Sequence, residues 1–148
     1  MRERFSFLPG ALSGFGIDAN GTWSHSHTST PTRSSMVLPR NAEWTGNVTG
    51  SYAIGRVTTR LAYQYVGTFI DKVGNGLTDP VSGDKWMMAH AQVDGSINLS
   101  LPGRAEMVLE GINLNNRPFG YYLGGIKRAF TQREYYGATT ILLVRWGY

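Results

Sequence analysis

A chain of 148 residues is long enough for one domain with a real core, and its lack of cysteine excludes both a disulfide framework and a thiolate metal site. The net charge of +4 comes from basic residues scattered along the whole length, the longest run being Lys127-Arg128, so no concentrated phosphate-binding patch is present and nucleic acid is not an expected partner. Nineteen glycines and 12% aromatics against 16% charged residues suit a β protein with many turns.

No run of about 18 apolar residues is available for a transmembrane helix. The first residues, MRERFSFLPGALSG, also lack the apolar stretch of a signal peptide. The chain instead alternates with a period of two, which places successive side chains on opposite faces of a strand. FSF at residues 5–7 reads as the end of a strand that begins outside this chain, followed by a turn at Leu8-Pro9-Gly10. In GFGIDANGTWS, Phe15, Ile17, Ala19, Gly21 and Trp23 share one face, opposite Asp18, Asn20, Thr22 and Ser24. A long polar loop over 25–42 follows, holding His25 and His27.

EWTGNVTGSYAI sets Trp44, Val48, Tyr52 and Ile54 against Glu43, Thr45, Asn47, Thr49 and Ser51. After a turn at Ile54-Gly55, RVTTRLAYQY sets Val57, Leu61, Tyr63 and Tyr65 against Arg56, Thr58, Arg60 and Gln64. A second long loop spans 68–88. AHAQVDGSINLSL opposes Val93, Ile97, Leu99 and Leu101 to His90, Gln92, Asp94, Ser96 and Asn98. The turn Leu101-Pro102-Gly103 leads into RAEMVLEGINLNN, where Ile112 and Leu114 fall on the polar face unless a bulge near Gly111 restores the register. A third long loop spans 116–135. YYGATTILLVRWGY then closes the chain, with Leu142, Val144, Trp146 and Tyr148 on one face and Ile141 and Leu143 unexplained on the other.

The predicted fold is all-β: an antiparallel up-and-down meander of about six long strands, with short turns at one end and long loops at the other. That layout, strands near the roughly 9–11 residues of a membrane-crossing strand, and aromatics gathered at strand ends describe an outer-membrane barrel. A soluble β-sandwich binding module is the alternative, though its strands are shorter and its loops less lopsided. Six strands cannot close around their own side chains, since about eight already give an interior only wide enough to be filled. Open edges in lipid cost several kcal/mol for each unsatisfied backbone group, about tens in total. The expectation is therefore an incomplete barrel segment, or a small structural or adhesive barrel completed by identical chains.

GINLNNRPFGYY followed by REYYG and a terminal aromatic strand resembles the C-terminal end of TonB-dependent outer-membrane receptors. FSFLPGALSGFGIDANGTW is similar to a recurrent turn-and-strand stretch of the same barrels. The resemblance spans nearly the whole chain, departing at the end where Tyr148 stands in place of the more usual Phe. It implies a large plugged barrel of the roughly 22-stranded class, of which this chain is about the last quarter. It further implies energised uptake of a siderophore, cobalamin, carbohydrate or similar nutrient, and no enzymatic activity. Plug domain, TonB-type coupling protein, barrel-assembly machinery and outer-membrane lipid are the implied partners, with no cofactor. The closing set Leu142, Val144, Trp146 and Tyr148 takes the part of the assembly signal.

Candidate ligand contacts from the outside are Phe119, Tyr121, Tyr122, Arg128 and Phe130 in the last long loop. The polar face expected to line the lumen and meet a plug comprises Asp18, Asn20, Arg56, Arg60, Gln64, His90, Gln92 and Asp94. His25 and His27 have metal-like spacing but neither a carboxylate nor a third His beside them. Asp71, Asp79 and Asp84 lack calcium-loop spacing.

Overall fold

Each predicted alternating segment pairs with the next through a hairpin or across a long loop. The computed structural model describes residues 2–4, 9–31, 33–74, 83–124 and 129–147, with the backbone only for residues 2–4 and 11. One large antiparallel sheet is formed by β1 (Arg2–Arg4), β2 (Phe15–Trp23), β5 (Trp44–Ile54), β6 (Val57–Val66), β9 (His90–Leu101), β10 (Ala105–Ile112) and β13 (Thr139–Trp146), adjacent in that order. A 3-10 turn, Gly10–Gly14, leads into β2 and lies against β5. A Cβ on Gly14 would stand 2.0 Å from the Ala53 carbonyl oxygen, so only glycine permits that approach. Between β5 and β6 the two-residue turn carries Gly55 at φ 56°, matching the glycine-first hairpin turns that follow the strand twist.

Register keeps like faces together across six strands. Ile17 pairs Gly50, which pairs Leu61, then Gly95 and Gly111. One row further along, Phe15, Tyr52, Thr59, Ile97, Leu109 and Leu142 align. The opposite face aligns Asp18, Thr49, Ala62 and Asp94, and next to them Asn20, Asn47, Gln64 and Gln92. A slip of one residue would exchange the faces, so this pairing is what makes one face continuously apolar.

The apolar face stands open to the surroundings, while the polar face is mixed, with Asn20, Arg60 and Gln64 exposed. On the apolar face Leu61 is 58%, Leu142 61% and Trp146 70% exposed, whereas Thr49, His90 and Val108 on the polar face are buried. Three of the buried apolar residues, Met36, Ile70 and Tyr122, belong instead to the loop end. Among the described residues the large sheet does not close: β1 and β13 each have one neighbour.

The long loops correct the sequence reading. The first contains a hairpin of β3 (Thr28–Thr30) and β4 (Arg33–Met36). The second and third contribute β7 (Phe69–Lys72), β8 (Lys85–Met87), β11 (Phe119–Leu123) and β12 (Phe130–Glu134) to a four-stranded sheet ordered β12-β11-β8-β7. Strands of three to five residues complete only one or two alternations, too few for a period to show. The closing strand begins at Thr139 rather than Tyr135, because Gly137 at φ 75° turns the chain just before it. The segment FSF lies outside the described residues, and the strand preceding β2 is β1, upstream of it.

The irregularity sought near Gly111 falls two residues later. β10 stays in register through Gly111 and Ile112, then Asn113 adopts φ 54° and the Leu114 N–H donates to the Val93 carbonyl at 2.8 Å. Leu114 thereby lands on the apolar face over Gly95 and Gly111, while Ile112 stays on the polar face. Val108, paired across to Leu143, is buried on that same polar face, so Leu143 belongs to a small apolar cluster at the last two strands.

Candidate functional site

The second sheet places the candidate ligand residues by alternation along β11. Phe119 and Tyr121 take one face, Gly120 and Tyr122 the other. Tyr122 is 3% exposed and its ring stacks on Trp86 at 6.3 Å, so it is a packing residue and not an outward contact. Burial pushes its hydroxyl pKa up, partly offset by a hydrogen bond with Thr68. Phe130 is exposed on β12 with the Arg133 guanidinium 4.6 Å above its ring. Arg128 lies outside the described residues.

Tyr121 sits in a polar and aromatic ledge. The Lys85 ammonium lies 4.0 Å from its ring centroid, donates to Gln132 Oε1 at 2.9 Å and stands 3.9 Å from an Asp71 oxygen. Gln132 donates to Glu134, and the Tyr136 hydroxyl donates to the other Glu134 oxygen at 2.8 Å. The bond to Glu134 raises the Tyr136 pKa; burial, then the charges of Glu134 and Asp71, raise that of Tyr121. Phe119 stacks flat on His90 at 4.0 Å and meets Tyr136 edge-on at 5.7 Å. This surface offers aromatic faces beside paired donors and acceptors, the chemistry that recognises a polar ligand.

A buried ion pair ties the three loops together. Arg33, on β4, donates from both terminal nitrogens to the two Asp84 oxygens at 2.8 Å each, and Asp84 is 1% exposed. The Gly74 N–H donates to the same carboxylate at 2.9 Å, and the Gly124 N–H donates to the Asp84 carbonyl at 3.0 Å. Burial by itself raises the Asp84 pKa, but the bonds from Arg33 and Gly74 and the charge of Arg33 outweigh it, holding the carboxyl below its ordinary value. Nothing in the sequence joins Arg33 to Asp84, which are 51 positions apart.

Of the polar-face candidates, Asp18, Asn20, Arg60, Gln64, His90, Gln92 and Asp94 share one face of the large sheet by register. Arg56 lies in the β5–β6 turn, because β6 begins at Val57. Asp94 gathers its neighbours: Gln64 and Gln92 donate to it at 3.4 and 2.8 Å, and the Asn113 N–H at 2.8 Å. His90 is buried against Phe119 with neither ring nitrogen hydrogen-bonded among the described residues.

Asn113 is the residue the sequence motif disguised. Its side chain accepts from the Arg117 N–H at 2.9 Å and donates to the Gly137 carbonyl at 3.0 Å, fastening the end of β10 to the entrance of β13. Asn115 completes the edge of β9, accepting from the Val93 N–H and donating to the Ala91 carbonyl. These side chains substitute for the ladder bonds that β10 no longer supplies.

His25 and His27 touch edge-on at 4.6 Å, and Trp23 stacks on His25. No group of three potential metal ligands occurs among the described residues. Asp71 faces Lys85 and Asp84 is held by Arg33, while Asp79 lies outside the described residues. Leu142, Val144 and Trp146 are exposed on one face of β13, and Tyr148 lies outside the described residues. Comparison with protein-family models, curated proteins and solved structures gives no match for this chain.

Proposed function

We propose that this chain supplies the closing strands of a TonB-dependent receptor barrel in the outer membrane of a Gram-negative bacterium, a transport rather than a catalytic role. The observation that carries the reading is one face of the sheet, continuous over six strands, on which large apolar side chains stand open to the surroundings. In water such a face, spread over six strands, is far larger than the few hundred Å² that soluble monomers tolerate. A soluble sandwich would have buried it against a second sheet. The eleven residues of β5 rise about 3.3 Å each and, tilted by about 45°, cover about 25 Å, the height of the apolar band of such barrels. Trp23 and Trp44 mark the loop end of this band and Trp146 the turn end.

In this reading the polar face meets the lumen and a plug domain. The ledge around Tyr121, with Phe119 beside it and Phe130 nearby, meets a nutrient arriving from outside. The siderophores, cobalamin and carbohydrates taken up by the family resembled span the candidate ligands. The open edges at β1 and β13 receive the remaining strands, and the alternating aromatic edge of β13 is read by the assembly machinery. The same edges favour a second reading, a small structural or adhesive barrel completed by identical chains.

The test is refolding of the 148-residue chain with and without detergent. Detergent dependence, with aggregation in its absence, is the expected outcome; a monodisperse monomer in plain buffer would overturn the membrane reading. Cross-linking in detergent to a closed ring of defined size would favour the second reading over the first.

A further inference from the structure

The polar face of the large sheet carries a depression of about 270 Å³, lined by Arg60 and Ala62 of β6, Asp94 and Ser96 of β9, and Glu110 and Ile112 of β10. Register fixes their order. Arg60 stands opposite Ser96 and Ser96 opposite Glu110, while Ala62 stands opposite Asp94 in the next row. Strands lie about 4.8 Å apart, so the backbones of Arg60 and Glu110 are separated by about 10 Å, with only a serine between them. Asp94 is the diagonal neighbour of both, at about 7–8 Å.

Three properties distinguish this place from ordinary sheet surface. The Arg60 and Glu110 side chains have no hydrogen-bonded or ion-paired partner among the described residues, so opposite charges stand open at its two sides. Asp94 is already oriented by its neighbours. Its Oδ1 accepts from Gln92 and from the Asn113 N–H at 2.8 Å each, whereas its Oδ2 accepts only the longer bond from Gln64 at 3.4 Å. A carboxylate oxygen so placed has room for a further donor. Finally, Ile112 is 42% exposed on the polar face, which gives the depression one apolar wall.

We infer that this depression binds a free basic amino acid, arginine or lysine. The carboxylate of the ligand pairs with the Arg60 guanidinium, its α-ammonium with Asp94 Oδ2, and the cationic end of its side chain with Glu110. The methylene stem between the two cations then lies along Ile112, as such stems cover apolar surface elsewhere. Charge selects this class. One guanidinium and two carboxylates leave the depression one negative charge, and a basic amino acid brings one positive. A neutral amino acid would leave Glu110 unpaired, and a polyamine would leave Arg60 unpaired. The volume falls just below the roughly 300 Å³ at which drug-sized sites begin, which suits a ligand this small. The site is separate from the Tyr121 ledge and does not depend on the membrane reading.

The experiment is equilibrium dialysis of the full chain against labelled L-arginine, in detergent or plain buffer according to which keeps it folded. Saturable uptake of one L-arginine per chain is expected. Agmatine, which lacks the carboxylate, and citrulline, which lacks the side-chain charge, should each compete about fivefold less well, the upper end of what an exposed charge pair contributes. Arg60→Gln should weaken L-arginine by about the same factor and erase its advantage over agmatine; Glu110→Gln should erase its advantage over citrulline. A general loss of folding would not produce that split. Ser96→Phe, which fills the space between the two charges, should abolish uptake. Absence of saturable uptake by the unaltered chain, agmatine or citrulline competing as well as L-arginine, or uptake unchanged in all three variants would overturn the inference.

Discussion

Asp84 shows how much a single carboxylate can organise. It accepts from Arg33 and Gly74 and, through its backbone, from Gly124, so it touches all three loop segments. Removing one member of a buried, hydrogen-bonded ion pair costs about 3–5 kcal/mol, because the other charge is left unpaired. Asp84→Asn should therefore release the loops from one another, seen as protease cleavage within residues 28–36 while the large sheet resists. The pH dependence has a definite sign. The folded-state pKa lies below the ordinary value of 3.8, so the clasp's contribution is present at neutral pH and above. It is lost only as pH falls through the lowered value, so loop protection in the unaltered protein should persist at least to pH 3.8. Loss of protection near pH 6 would contradict the assignment.

β10 and its exit show the same economy at the scale of an element. The strand was legible from alternation up to Leu109, but the two apolar residues at Ile112 and Leu114 broke the pattern. A left-handed residue at Asn113 resolves half of the conflict, returning Leu114 to the apolar face and leaving Ile112 on the other. Asparagine suits the position twice: it tolerates positive φ, and its amide fastens Arg117 and Gly137. Asn113→Ala forfeits both, at about 1–2 kcal/mol for the backbone and about 1 kcal/mol for each hydrogen bond. Asn113→Gly forfeits only the hydrogen bonds. Thermal melting in detergent should rank the unaltered chain above the glycine variant and the alanine variant lowest; equal losses would mean that the left-handed backbone carries no cost.

For the molecule as a whole, the decisive property is which face of the sheet meets which solvent. Because the chain has no cysteine, single replacements report this without background. In vesicles, Gln92→Cys should react with a water-soluble maleimide and Tyr63→Cys only with a lipid-soluble one. The reverse pattern would invert the assignment of the faces and remove the basis for the lumen reading. The unexplained residues of the last strand fit the same frame: Leu143 opposes Val108 on the polar face, so the end of the sheet carries its own small apolar cluster. Across that strand Arg145 and Glu106 stand 3.9 Å apart and exposed, a pairing worth less than about 1 kcal/mol.

Alternation alone determined the six long strands, their two faces and the tight turns, because a period of two repeated over eight or more residues leaves no other regular conformation. It also determined which face of each strand is apolar, since a period of two fixes which residues point the same way. The long loops were beyond its reach: strands of three to five residues carry no readable period, and pairs such as Arg33 with Asp84 or Lys85 with Gln132 are joined only when distant segments fold over one another. Tyr121 and Tyr122 make the contrast in two adjacent letters. Sequence marks both as loop aromatics, whereas the pleat of β11 turns one toward the ledge and buries the other against Trp86.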